Sequence, residues 1–375
     1  MRYFFLIALL FLACSTPKSS DDNSHLRNPQ IPLAEGDEIE FAKGFQIIQF
    51  LDHKQINIID LNNKNTVVQK IFIGKGARDK EEYLPTPIAS AACNSTTHVS
   101  YFAKLDIVDR LIGVSWPDLI MNEKVKEKLD QGKIKAIGKN GEMNLEVILQ
   151  ISPDILMVYP YESLSYQQYE DAGLQLVYNT EYQEVHPLAK AEWIKLYGLL
   201  FNKEEEAKQI FEMIKERYLE HCDLAKDLVK AKGSPSVFTG SFLNGQWFAP
   251  SANSSTVRSL EDAGATYVFS DMESIGNLQL DLEVMYQKCK DADFYGKLIS
   301  DAIDLDDMQT QEKRLTTLRA VKEGNVFYCN TSRSDYFGDA LLEPDVVLHD
   351  LVKIFFPSQS EYETNRYFHL VDHNP

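Results

Sequence analysis

The sequence predicts an α/β protein of two βαβ lobes joined by one long helix, with an antiparallel β meander added in front. Three observations carry this reading. From about residue 88, short apolar runs alternate with helical stretches, the pattern of a mostly parallel sheet wrapped by helices. One helical pattern then runs from Asn202 with no Gly or Pro until Gly233. After Gly233-Ser234-Pro235 a second series of short apolar runs begins.

The elements follow in order. Residues 38–75 mix apolar and polar positions at short period, as in Phe45-Gln46-Ile47-Ile48-Gln49-Phe50 and Ile56-Asn57-Ile58-Ile59-Asp60. Each segment carries an Ile-Ile pair, so the alternation is imperfect. Asp52-His53 and Leu61-Asn62-Asn63 read as turns, giving a meander. Buried strands are expected at Leu111–Ser115, Ile155–Tyr159 and Leu174–Tyr178, then at Val237–Thr239, Tyr267–Phe269, Ala292–Tyr295 and Val326–Tyr328. One helix is expected over Leu188–Leu200 and another over Pro344–Phe356. For the long helix, Asn202 is the expected N-cap, with Glu205 three residues on as in a capping box. Ala207, Phe211, Ile214, Tyr218, Ala225 and Leu228 recur at helical spacing. At 1.5 Å per residue such a helix is roughly 40 Å long, more than one lobe needs. The expected units are therefore 1–13, 14–37, an N-terminal lobe at 38–200, a linking helix at 201–232 and a C-terminal lobe at 233–375.

The N-terminus bears on compartment. Met1-Arg2 precedes an apolar run from Tyr3 to Ala13, too short to span a bilayer but suited to a secretion signal. Phe11-Leu12-Ala13-Cys14 resembles a bacterial lipobox, which implies cleavage before Cys14 and lipidation of its sulfur. The polar stretch Ser15–Asn28 reads as a tether. Cys93, Cys222, Cys289 and Cys329 remain, widely spread and without a C-x-x-C pair. That excludes a disulfide-dense scaffold and leaves either buried thiols or one bridge. Lys plus Arg total 38 against 56 Asp plus Glu, a net charge of −18. Such a balance disfavours nucleic acid and a polybasic membrane patch.

There is an internal echo. Asn144-Leu145-Glu146-Val147 precedes Asp154 and a strand; Asp281-Leu282-Glu283-Val284 precedes Asp291 and a strand. Asn144 and Asp281 are good N-caps, which sets Glu146 and Glu283 in the first helical turn.

Lipobox, tether, lobe, bridging helix and second lobe, in that order, resemble the substrate-binding lipoproteins of iron–siderophore and cobalamin ABC importers, the class III periplasmic binding proteins. Ser95-Thr96-Thr97-His98 with Arg110-Leu111-Ile112-Gly113-Val114-Ser115 is similar to the family's opening unit. Ile137-Gly138, Asn144-Leu145-Glu146 and Ser152-Pro153-Asp154-Ile155-Leu156 resemble its next segment, and Pro344–Leu351 its closing helix. The resemblance covers about residues 85–357 and leaves out the meander. It implies a little-hinging clamp that holds a ferric siderophore, cobalamin or haem between its lobes, with no cofactor of its own. It also implies a monomer, held by lipid on the periplasmic side of a cell membrane, that delivers its ligand to an inner-membrane permease. Glu146 and Glu283 match the glutamates that dock such proteins on permease arginines.

Ligands of open α/β lobes collect beyond the carboxyl ends of strands. His98, Trp116, Tyr159 and Tyr161 in the first lobe, and Trp247, Arg333 and Tyr336 in the second, occupy such places and are the expected ligand-binding residues. Aromatic faces suit a corrin, porphyrin or catecholate. Arg333 suits an anionic siderophore or a propionate, and His98 a metal centre. No P-loop, G-x-S-x-G or H-E-x-x-H occurs, and Gly113-Val114-Ser115-Trp116-Pro117 fails the nucleophile elbow at its last position. His369 and His373 have helical ligand spacing but no partner cluster. The chain is expected to bind rather than catalyse; the alternatives are an extracytoplasmic enzyme, or a storage or sensing lipoprotein without a permease, on the same two-lobe scaffold.

Overall fold

A computed structural model describes residues 39–139, 142–160, 165–300, 313–357 and 365–371. Cys14 and Tyr161 lie outside the described residues.

The chain opens with a three-stranded antiparallel sheet, β1 (Phe45–Gln49), β2 (Lys54–Asp60) and β3 (Thr66–Ile73), paired in that order. The Ile-Ile pair of β2 has a structural reason. The ladder with β3 shifts register between Ile58 and Ile59, and such a bulge lets two successive side chains turn inward. Both are buried.

The first lobe follows: β4 (Ala91–Cys93), α1 (Thr96–Lys104), β5 (Leu111–Ser115), α2 (Glu123–Asp130), β6 (Lys135–Lys139), β7 (Glu142–Met143), α3 (Leu145–Ile151), β8 (Ile155–Val158), α4 (Gln167–Asp171) and β9 (Leu176–Tyr178). Its sheet has the order β7-β6-β5-β4-β8-β9. All pairs are parallel except β6 with β7. Every residue of β8 is buried, as expected for a parallel strand covered on both faces.

The edge of this sheet is not open. From β3, the Gln69 amide donates to the Leu176 carbonyl and accepts from the Tyr178 N–H, each at 2.8 Å. One side chain thus caps the edge strand β9 as a neighbouring strand would. Two buried carboxylates fasten the chain just before β1. Glu192 accepts N–H groups from Glu40, Phe41 and Ala42 at 2.7–2.9 Å. Glu184 accepts from Lys43, Gly44 and the Trp193 indole. A Cβ on Gly44 would stand 2.7 Å from Thr180 Oγ1 and 2.8 Å from the Trp193 ring, so only glycine permits this approach. The N-terminal sheet is thereby locked to the stretch 176–193.

The helix expected over 188–200 is two, α5 (Pro187–Glu192) and α6 (Ile194–Phe201). They part at Trp193, whose N–H bonds back only three residues, to Lys190. The long helix α7 runs Glu204–Lys232, 29 residues, about 43 Å at 1.5 Å per residue. Asn202 does not cap its start. It is left-handed (φ 59°, ψ 47°) and ends α6, a conformation that Asn tolerates at helix C-termini. The expected stripe is buried, from Ala207 through Phe211, Ile214 and Tyr218 to Ala225, with Leu228 half-buried.

The second lobe contains β10 (Ser236–Thr239), β11 (Ser241–Leu243), β12 (Gln246–Pro250), α8 (Ser255–Asp262), β13 (Thr266–Tyr267), β14 (Asn277–Asp281), α9 (Leu282–Cys289), β15 (Phe294–Ile299), α10 (Arg319–Lys322), β16 (Val326–Asn330), α11 (Pro344–Phe355) and β17 (His369–Leu370). The main sheet has the order β13-β10-β15-β16-β17, and β11-β12-β14 form a separate antiparallel sheet. The two lobes therefore have separate sheets, each wrapped by its own helices. Along α7 the second lobe is fixed by α11, where Arg217 pairs with buried Asp345 at 2.8 Å. The four described cysteines are free and buried, which settles the sequence alternative in favour of thiols.

Candidate ligand-binding cleft

A cleft of about 720 Å³ lies between the lobes. It is more than twice the volume of an apolar cavity of about 310 Å³ inside the second lobe. Its first wall is built from the residues just beyond β4, β5, β8 and β9: Asn94–Thr97, Trp116, Tyr159, and Glu181 with Tyr182. Its second wall comes from the ends of β15 and β16: Ser300, Thr331 and Ser332, then Asp335 and Phe337. Both sheets thus point their carboxyl ends at one space, the position at which α/β lobes take ligands.

Trp116 is half-buried and lines the first wall. Its backbone is left-handed (φ 56°, ψ 50°) ahead of Pro117, a conformation that costs a bulky residue about 1–3 kcal/mol. Its N–H is pinned to the Gly138 carbonyl at 3.1 Å. Tyr159 stands beside it on that wall, its N–H on Asn94 Oδ1 and its ring edge-on to Tyr182 at 6.0 Å. Asn94 is held in turn by Tyr166. Leu119 and Phe337 line opposite walls and are 61% and 56% exposed. Exposed apolar surface gathered in one concave place marks a binding site.

Glu181 is the buried polar group of the cleft. It is 2% exposed. Its Oε1 accepts from Thr97 Oγ1 at 2.6 Å, while Oε2 has no hydrogen-bond partner. Burial raises its pKa, and the Thr97 bond and the Lys190 charge oppose the rise. Asp335, on the other wall, is pushed up to about 6 by burial and by neighbouring Asp339, against backbone N–H bonds and Arg366.

The expected ligand-binding residues divide. Trp116 and Tyr159 line the cleft. His98 does not: it is fully buried in α1, and burial lowers its pKa to about 3. It faces inward because the helix that starts at Thr96 turns its third residue onto the lobe core. Trp247 is also fully buried, packed on Phe238 and Tyr295. The turn at Asn244-Gly245 joins β11 to β12, so Trp247 lies inside the paired strand β12 rather than beyond a strand end, and its indole packs into the core. Arg333 is exposed and stands outside the cleft lining. Tyr336 lies one step behind the wall, between the apolar cavity and a smaller recess of about 220 Å³ that Phe337 and Thr97 separate from the cleft.

Glu181, Tyr182, Ser300 and Asp335 are not among the residues expected from sequence to bind ligand, although Asp335 lies between two that are, Arg333 and Tyr336. Position alone offers the signal for the first three, since each follows a strand expected from its apolar run. Asp335 follows β16 less directly, behind a loop. Glu146 and Glu283 are exposed in the first turns of α3 and α9, with Asn144 Oδ1 capping Val147 N at 3.1 Å and Asp281 at the second cap without a side-chain bond.

Among the described residues no group of three or more His, Cys, Asp or Glu could hold a bare metal ion, and no helix is long and apolar enough to cross a membrane. Paired lobes on one long helix, with aromatic and polar groups lining the space between, define a two-lobed binding protein of class III architecture. A periplasmic binding protein family model matches residues 92–332, and the chain belongs to that family. It is 24% identical to an uncharacterized lipoprotein of Methanocaldococcus jannaschii over 97% of this chain and 93% of that one. It shares its fold with a periplasmic heme-binding protein of Pseudomonas aeruginosa (TM-score 0.60, 17% identity, 74% of this chain and 96% of that). It shares it likewise with a molybdate periplasmic binding protein of Haemophilus influenzae (TM-score 0.58, 16% identity, 73% and 88%). Those two bind chemically unlike ligands, so fold alone does not set the ligand.

Proposed function

We propose that this protein is the lipid-anchored receptor of an ABC importer. It captures a bulky metal chelate of the iron–siderophore, cobalamin or haem type between its lobes and delivers it to an inner-membrane permease. The observation that carries this reading is the cleft of about 720 Å³, lined by Trp116, Tyr159, Tyr182 and Phe337 at converging strand ends. That volume falls within the range of small-molecule sites, and flat aromatic faces suit a chelate's organic shell. Cys14 is the lipid attachment point in this reading. Glu146 and Glu283 are the docking charges, and each is modestly stabilised by the dipole of its helix N-terminus. The experiment is an absorbance spectrum of the purified protein, followed by tryptophan-quenching titrations with ferric siderophores, cobalamin and haem. Saturable quenching by one of them, weakened by Trp116→Ala, supports the assignment; no quenching by any of them overturns it.

A further inference from the structure

The charged groups of the cleft are of one sign. Asp118, Glu181 and Asp335 line it, and among the described residues no Lys, Arg or His does. Asp118 is paired with exposed Lys139 at 2.6 Å.

Glu181 shows that this is more than a cluster of surface acids. Its carboxylate is buried at the cleft wall with Oε2 unpartnered. A buried carboxyl oxygen without a hydrogen-bond partner is costly and calls for an explanation. His98 Nε2 stands 3.9 Å away, beyond hydrogen-bond reach, and its imidazole is held neutral by burial. It therefore does not satisfy that oxygen. Lys190 is the cation that Glu181 feels. It borders the smaller recess rather than the cleft, and burial lowers its own pKa. Around Asp335, Arg366 opposes and Asp339 reinforces the negative field. Tyr101 and Tyr197, also packed near Glu181, are held neutral by burial.

The rest of the lining agrees. Trp116, Tyr159, Tyr182 and Phe337 line it, and aromatic rings attract cations through their negative faces. The net charge of −18 favours approach of a positive ligand over long range.

We propose that the cleft selects a positively charged metal chelate over an anionic one, with Glu181 as the buried acceptor on one wall and Asp335 on the other. This rests on the chelate-binding reading above and adds the sign of the ligand.

The test uses the mature protein and two ferric probes of opposite charge, the cationic trihydroxamate complex ferrioxamine B and an anionic tris-catecholate complex. Tryptophan quenching is expected to give at least about tenfold tighter binding of the cation, about 1.4 kcal/mol. The double variant Glu181→Gln with Asp335→Asn is expected to lose most of that preference while its thermal unfolding stays cooperative. Should that variant fail to fold, Asp335→Asn alone and a salt titration replace it; salt should weaken the cation and not the anion. Tighter binding of the tris-catecholate would overturn the inference and leave the chelate-binding reading standing. Binding of neither probe, nor of cobalamin or haem, by folded protein would overturn both.

Discussion

Tyr218, on the linking helix, donates a 2.7 Å hydrogen bond from its phenol to Asp262 Oδ2 at the end of α8. Asp262 also holds Arg258 at 2.9 Å, and Tyr218 is buried. The second lobe is thus tied to the rod at two places, here and at Arg217–Asp345. Replacing Tyr218 by Phe removes a hydrogen bond to a charged group and is expected to cost about 1–3 kcal/mol. Urea unfolding checks this, and ligand affinity should not change because neither residue lines the cleft.

Trp116→Gly separates binding from strain. Glycine adopts the left-handed conformation freely, so relief of backbone strain offsets the lost packing and the thermal midpoint should hold. Ligand affinity should fall by more than about tenfold, as for a buried aromatic anchor. Trp116→Phe should keep most of the affinity. A large drop in midpoint for Trp116→Gly, without weaker binding, would show the indole to be structural.

Asp335 sets a pH dependence of defined sign. Its carboxyl titrates near 6 in the fold instead of the ordinary 3.8, so between those values the folded chain holds the proton more tightly than the unfolded one. Stability from this group therefore rises as pH falls from 7 toward 4. His98 acts oppositely, since a neutral buried imidazole disfavours the fold once the unfolded chain takes up protons below pH 6.5. Comparing melting points of wild type and Asp335→Asn across that window isolates the carboxyl: the variant's advantage at pH 7 should shrink toward pH 4. Affinity for a cationic ligand should fall below pH 6, as the carboxylate is lost.

Charge reversal of Glu146 and Glu283 to Lys should impair uptake in cells while ligand affinity of the pure protein stays intact, because rim charges govern encounter and register with a partner. Loss of ligand binding in the double variant would refute the docking role.

Glu192→Ala should destabilise by at least about 3 kcal/mol, because three backbone donors lose their acceptor and the buried side of Lys195 loses its 2.8 Å partner. Denaturant unfolding, with limited proteolysis near residue 40, reads the release of the N-terminal segment.

Much of this architecture is legible in residue order. The parallel strands show because both faces of their sheets are covered, so apolar runs such as Ile155–Val158 stand out. The long helix shows because one buried stripe repeats over 29 residues without a breaker. Asn202 misleads because the same residue type serves at either helix end, and only its left-handed backbone tells which. Trp247 misleads because a hairpin turn looks alike before and after a strand. The cleft itself is only partly legible. Trp116 and Tyr159 follow obvious strands, whereas Glu181 owes its role to burial and to Thr97 from a distant segment. No local pattern marks an acid as buried, just as none marks His98 as facing the core.

The N-terminal sheet extends these points to practice. The family match begins at residue 92, yet Gln69 caps β9 and Thr180 Oγ1 bonds the Ile59 carbonyl at 2.9 Å, next to Glu181. Expression clones trimmed to the homologous core would strip the scaffolding from the acidic wall. They would be expected to misreport ligand preference even where they remain soluble, so affinity panels belong on chains that begin before residue 39.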